Sequence, residues 1–198
     1  MTPETLVALS LYAFVSSVTP GPNNLMLMAS GANFGFLRTV PHMLGIGVGF
    51  VVMILLVGIG LMQLFDAMPL AHDVLRGISV AYLLWLAWKV AHAGAPERRV
   101  GAGRPMTFLQ AALFQWVNPK AWSMALTAIA LYAPDRSIWA IGLVGAVFGA
   151  INLPSVSLWT VLGKQIRRLL TSRVRLAVFN WTMAALLVAS LYPVVFEG

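Results

Sequence analysis

"SSVTPGPNN", residues 16–24, interrupts an uncharged run that reaches from residue 5 to residue 37. A run of that length reads as a membrane helix, because a span needs about 20 mostly apolar residues. Yet Pro20 and Pro22 each remove a backbone donor and clash with the preceding turn. Gly21 lies between them, and Asn23 and Asn24 bring polar amides into oil. The stretch therefore predicts two half-helices, residues 5–19 and 23 to about 34, with carbonyls freed before the prolines and amides exposed at the start of the second half. Irregular backbone at that depth is tolerated only where it is packed in protein or lines a wet cavity, so the freed groups should face an interior. Asn23 and Asn24 are expected to cap the second half and to offer donors and acceptors to a polar ligand.

The rest of the chain fits a membrane setting. Of 198 residues, 60% are hydrophobic and 10% charged, and the mean hydropathy is +0.85, which excludes an ordinary soluble domain. The net charge of +7 would suggest nucleic acid in a soluble protein. Here the basic residues cluster between apolar runs, where they orient a polytopic chain, so the partners expected are the lipid bilayer and a small solute, with no nucleic acid. There is no cysteine, hence no disulfide, thiolate nucleophile or Cys-bound metal, and no cofactor is expected. The start, "MTPETLVALS", carries an acid and no basic residue, so the first apolar run reads as a retained span rather than a cleaved signal.

Charged residues delimit six spans: 5–37, 39–65, the stretch "RGISVAYLLWLAWKVAH" at 76–92, 105–134, 137–163 and 176–196. Lys89 near the end of the third can snorkel. Arg38, then Lys89, Arg98, Arg99 and Arg104, then Lys164, Arg167, Arg168, Arg173 and Arg175 fall in loops one, three and five. Arg76 and Arg136 fall on the other side with Asp66, Asp73 and Asp135. The positive-inside rule then places the odd loops in the cytoplasm and both termini outside.

The segment "AGAPERRVGAGRP", residues 93–105, is linker-like and lies at mid-chain. It divides a single membrane domain into residues 1–92 and 106–198. Sliding one half onto the other by 99 positions aligns Pro20 with Pro119, Leu27 with Leu126, Ala29 with Ala128, Leu44 with Leu143 and Val48 with Val147. In both halves the first helix is interrupted by proline and asparagine. Three spans per half is an odd number, so the second copy must enter the membrane inverted. The fold expected is thus an all-α polytopic membrane protein of six transmembrane helices, two inverted three-helix repeats whose first helices are broken. That is the pattern of a secondary transporter with its site at the repeat interface.

The second break is "QWVNPKAW", residues 115–122, with Asn118, Pro119 and Lys120. A lysine at the bilayer centre costs about 2.5–3.5 kcal/mol on insertion scales, and such residues normally face a bundle interior. No span holds an Asp or Glu to pair with it. Lys120 must use carbonyls freed by the breaks, the amides of Asn23, Asn24, Asn118 or Asn152, water, or a substrate carboxylate; the bland alternative is a lysine that only neutralises helix C-terminal carbonyls. The half-helix starting after Pro119 favours an anion at its N-terminus. In "GAINLPSVSLW" Asn152 and Pro154 pair an amide with a kink more weakly, and Gly45 and Gly49 form a small-xxx-small packing face. Trp116 and Trp122 flank the second break and could wall a pocket, whereas Trp159 and the other tryptophans read as packing or interface anchors. His42, His72 and His92 are expected at span ends.

"TPGPNNLMLMASGANFGFLRT" at 19–39, "AYLLWLAWK" at 81–89 and "NPKAW" at 118–122 resemble the lysine exporter and homoserine/threonine resistance (LysE/RhtB) family of amino-acid efflux proteins. Length, span number and motif order match over essentially the whole chain; Ala87 and Ala111 stand where a glycine is common. Residues 80–89 and 114–118 are similar to the cysteine and O-acetylserine exporters within it. The resemblance implies proton-motive-force-dependent export of an amino acid or close derivative across a bacterial cytoplasmic membrane. It marks Pro20, Gly21, Pro22, Asn23, Asn24, Asn118, Pro119 and Lys120 as the signature breaks. The mechanism expected is alternating access, with the substrate carboxylate on Lys120 or a half-helix N-terminus and its ammonium on freed carbonyls or asparagine oxygens. Lys120 could itself alternate between proton and substrate.

An intramembrane enzyme would need a paired nucleophile and base or an HExxH run, and neither occurs. A retinal protein would want a carboxylate counter-ion and a seventh span. A channel or structural membrane subunit without coupled transport is the alternative left standing, and a monomer and a homo-oligomer are both open.

Overall fold

The computed structural model describes residues 1–61, 69–92 and 104–192, and every regular element among them is helical. In chain order these are α1 (Pro3–Val18), α2 (Pro22–Phe34), α3 (Phe36–Leu56), α4 (Pro69–Ala91), α5 (Phe108–Phe114), α6 (Pro119–Tyr132), α7 (Ile138–Ile166) and α8 (Arg173–Ala189). A wide turn, Val57–Leu61, extends α3, and a tight turn, Gln115–Val117, extends α5.

The sequence punctuates these helices in the expected way. Thr2 caps α1 by accepting the Thr5 amide at 3.3 Å, and Pro3 occupies its first turn. Thr107 and Gln110 close a reciprocal capping box at the start of α5. Pro22 and Pro119 open α2 and α6, where a missing N–H costs nothing. Gly35, at φ 82°, lets the chain pass from α2 into α3 with no further linking residue.

Among the described residues two helical runs are long and apolar enough to cross a membrane, Phe36–Gly60 and Ile138–Ile166. A third crossing is available if α1 and α2, bent by 53° at their break, count as one. The first two match expected spans 39–65 and 137–163, and the bent pair matches the broken span 5–37. The remaining three expected spans do not pass on length among these residues. The run expected over 105–134 is divided at Asn118 into short halves, Gly77–Ala91 is a shorter apolar helix, and α8 has 17 residues. The linker residues 93–103, with Arg98 and Arg99, and Asp66 lie outside the described residues.

Packing centres on α2 and α7. Eleven of the 13 residues of α2 are buried, so it is covered on every side, as a helix without a polar face must be. It lies against α7 so closely that a Cβ on Gly31 would collide with the Thr160 carbonyl and one on Gly163 with that of Met28. Gly45 and Gly49 of α3 receive the backbone of Phe108 and Ala112 of α5, so that small-residue face is a packing face, and Ala111 sits fully buried beside Gly45. Further pairs are α1 with α7, α3 with α7, and α4 with α8. Phe148 of α7 fills one core, edge-on to Phe50 at 5.4 Å and to Tyr12 at 6.0 Å. A second core joins α2, α4 and α8 around Phe114 and includes Ala87.

Candidate functional site

Pro20 holds Thr19 in an extended conformation and ends α1 at Val18, leaving a row of carbonyls without intrahelical donors. Each has a side-chain partner. Thr19 Oγ1 donates to Ser16 O at 3.0 Å, Asn24 Nδ2 to Ser17 O at 2.8 Å, and Trp159 Nε1 to Val18 O at 3.1 Å. Asn24 Nδ2 also donates to Thr19 O at 2.8 Å. Lys120 Nζ completes the row, donating to Thr19 O at 2.7 Å, Thr19 Oγ1 at 2.9 Å and Pro20 O at 3.3 Å. Five consecutive carbonyls are thus satisfied by donors from the break itself, α2, α6 and α7, which is what backbone irregularity inside a membrane requires.

The second break is served in the same way. Asn118 caps α6, its Oδ1 accepting the Lys120 amide at 3.2 Å, and Trp122 Nε1 donates to Trp116 O at 2.8 Å. The two indoles stand edge to face at 5.9 Å beside the break and do not line the pocket. The breaks are joined by an amide pair: Asn23 Nδ2 donates to Gln115 Oε1 at 2.8 Å, and Gln115 Nε2 donates back to Asn23 Oδ1 at 3.2 Å and to Ala111 O at 2.9 Å.

Between the breaks lies a cavity of about 20 Å³, of the order of one water molecule. Of the residues singled out in the sequence, Gly21, Asn23, Asn24, Asn118, Lys120 and Asn152 line it, with Ser16 and Ser17 beside them. Pro20, Pro22 and Pro119 do not; the three prolines shape backbone, and Pro20 contributes a carbonyl to Lys120. Asn152 Nδ2 reaches Ser17 Oγ at 3.5 Å while its buried Oδ1 has no partner. Gly21 gives Lys120 its place: a Cβ there would stand 2.6 Å from Lys120 Cδ and 3.2 Å from Nζ. Thr19 and Pro20 form an exposed rim, and backbone exposed at this depth has to border water rather than lipid.

Several expectations are corrected by this geometry. Asn23 and Asn24 do not cap α2, whose N-cap is Gly21 without a side-chain bond; Asn24 instead closes the end of α1, because the carbonyls there have no other donors while the α2 amides begin with a proline. Lys120 uses carbonyls freed by the first break, which are among the partners expected for it and are also what the bland alternative requires. Trp159 packs against two of the cores, as read for the tryptophans, and in addition caps Val18 O. His42 is no span-end residue: it lies within α3, 1% exposed, with neither ring nitrogen bonded. Gln115 escaped notice although it is fully buried and joins the breaks. A glutamine five residues before a membrane lysine was its signal.

Two interrupted helices whose polar ends meet around one lysine, inside a largely apolar helical chain, define a membrane protein with a small polar site on broken helices. The chain belongs to the LysE type translocator family, whose family model matches residues 14–190, and is accordingly a translocator rather than an enzyme. It is 30% identical over its full length to the whole of the cysteine/O-acetylserine efflux protein of Klebsiella pneumoniae subsp. pneumoniae. It is 31% identical to the protein of the same description from Escherichia coli K12, over 85% of this chain and 87% of that one. No solved structure matches it.

Proposed function

We propose that this protein exports an amino acid or close derivative from the bacterial cytoplasm, in exchange for protons and by alternating access. The two halves, residues 1–92 and 106–198, act as inverted three-span repeats with both termini outside. The observation that carries the reading is the cage of three oxygens, Thr19 O, Thr19 Oγ1 and Pro20 O, around the Lys120 ammonium. A cage that binds one primary ammonium suits another. A zwitterionic substrate brings an ammonium for the cage and a carboxylate for the lysine it displaces, so Lys120 holds the substrate's place until substrate arrives. The 20 Å³ cavity is too small for any amino acid, so loading requires the breaks to separate.

Further support comes from helix pairing. If α1 corresponds to α5, α2 to α6, α3 to α7 and α4 to α8, then the α3–α5 contact mirrors the α1–α7 contact, and the α3–α7 and α4–α8 contacts map onto themselves. That is the pattern a two-fold relation between halves produces, save that the extensive α2–α7 contact has only a small counterpart in α3–α6. Gly21 and Lys120, 99 positions apart, then occupy equivalent places, and they touch. The efflux relatives make cysteine and O-acetylserine the first substrates to try.

The test is uptake of labelled amino acids into inverted membrane vesicles, with and without a proton gradient, by wild type and Lys120→Ala. Gradient-dependent uptake that collapses in the variant is expected. Gradient-independent equilibration would make the protein a channel, and unchanged uptake by the variant would remove Lys120 from the site.

A further inference from the structure

A second cavity, of about 510 Å³, lies at the other end of α2. That volume falls within the range of small-molecule sites, about 300–1,000 Å³, whereas the cavity at the breaks is far below it. It is walled by α2, α3, the end of α4 and the approach to α5. The residues that matter are Asn33, His42, Lys89 and Arg104, with Met26 and Leu86 among the apolar lining.

Two of its polar side chains are buried and incompletely bonded. His42 is 1% exposed and neither ring nitrogen has a partner; Asn33 is 4% exposed and its Oδ1 has none. The Asn33 amide is held in place, Nδ2 donating to Ala29 O at 2.8 Å and to Asn180 Oδ1 at 3.2 Å, so the oxygen is fixed as an acceptor. Most buried polar groups in folded proteins are bonded, so two unbonded groups shielded just beneath a cavity wall call for a ligand that parts the lining to reach them. A neutral imidazole offers one donor and one acceptor. The unmet demand is therefore two acceptors and one donor, with the cations of Lys89 and Arg104 also lining the cavity; Lys89 Nζ stands 4.4 Å over the Trp85 ring.

We infer that this cavity is a second binding site for an α-amino acid zwitterion, where substrate is held before it reaches the breaks. The ammonium donates to Asn33 Oδ1 and to the unprotonated nitrogen of His42. The carboxylate accepts from the His42 N–H and faces Lys89 and Arg104, while Met26 and Leu86 receive a small side chain. The site lies at the end of the molecule bearing Arg38, Lys89 and Arg104, which the positive-inside rule assigns to the cytoplasm, the side from which an exporter loads. Nine residues of α2 separate Asn24 from Asn33, about 14 Å at 1.5 Å per residue, so the two sites are distinct. The substrate class rests on the exporter reading.

The chain contains three histidines, which makes histidine-selective labelling informative. Protein labelled with 13C,15N-histidine in lipid nanodiscs is titrated with cysteine under reductant, and separately with O-acetylserine, as wild type and as Lys120→Ala. His42→Gln assigns the signal, and Asn33→Leu tests the acceptor. The expected result is a saturable shift of the His42 resonances that survives Lys120→Ala and needs at least tenfold more amino acid in Asn33→Leu. If wild type binds and transports the amino acid while the His42 resonances stay unmoved, the second site is overturned and the exporter reading stands. Should neither amino acid bind or be transported by wild type, the substrate reading fails and this site with it.

Discussion

Replacing Lys120 by methionine separates a working lysine from a structural one. The substitution keeps most of the side-chain volume and removes an ammonium that donates to Thr19 O, Thr19 Oγ1 and Pro20 O. Thr19 O retains the Asn24 amide at 2.8 Å, so only Pro20 O loses its sole protein donor among the described residues. A hydrogen bond to a charged group is worth about 1.5–3 kcal/mol, and exposed Pro20 can recover part of that from water. Against it stands the relief from holding a lysine at membrane depth, about 2.5–3.5 kcal/mol. The two nearly cancel, leaving a net change of about 1 kcal/mol or less. For a chain of this size that is a Tm shift of about 2–4 °C, measured by thermal unfolding in nanodiscs. Gradient-driven uptake, in contrast, should fall to background. A Tm loss of about 10 °C would show that the lysine is a staple for the break, and the reasoning from its cage to substrate binding would be refuted.

Gly21→Ala fits the extended backbone at φ −175° but drives a methyl against Lys120 Cδ, so it should raise KM for transport while leaving Tm within a few degrees; an unchanged KM would disconnect Gly21 from the site. Gln115→Leu orphans the Asn23 amide and should lower stability by about 1–3 kcal/mol, whereas Asn23→Leu with Gln115→Leu should cost less than the two singles combined; strict additivity in denaturant unfolding would mean the amide pair contributes no coupling. Gly163→Val must push α7 off α2 at Met28 and should destabilise by about 3 kcal/mol or abolish accumulation, while Gly142→Ala, with open space around it inside α7, should be neutral or stabilise by up to about 1 kcal/mol; equal effects would contradict the packing described.

Both breaks were legible because proline and asparagine in an apolar run leave few alternatives: α2 and α6 begin at Pro22 and Pro119, within a residue of where the motif puts them. Six of the nine residues singled out for the site line the cavity for the same reason, since polar residues in oil have to converge, whereas Pro20, Pro22 and Pro119 do not. What escaped were partnerships between segments far apart in sequence. Nothing near Asn24 indicates that its amide turns back to α1, and nothing near Trp159 indicates that its indole reaches Val18, 141 positions away. His42 was misplaced because its nearness to Arg38 suggested a span end, although α3 carries it inward past the charge. Side-chain exposure depends on which helices pack together, a property that no single segment encodes.

Helix α2 touches both cavities and is clamped to α7 by reciprocal glycines, with almost no face left over. Thirteen residues at 1.5 Å each make a rod of about 20 Å, and tight packing on all sides leaves such a rod little freedom to bend. A displacement at Asn24 therefore arrives at Asn33 as the same displacement. Widening the space at one end by sliding or tilting this rod must reshape the space at the other, so the two cavities are coupled through a single stiff part rather than through a relay of side chains.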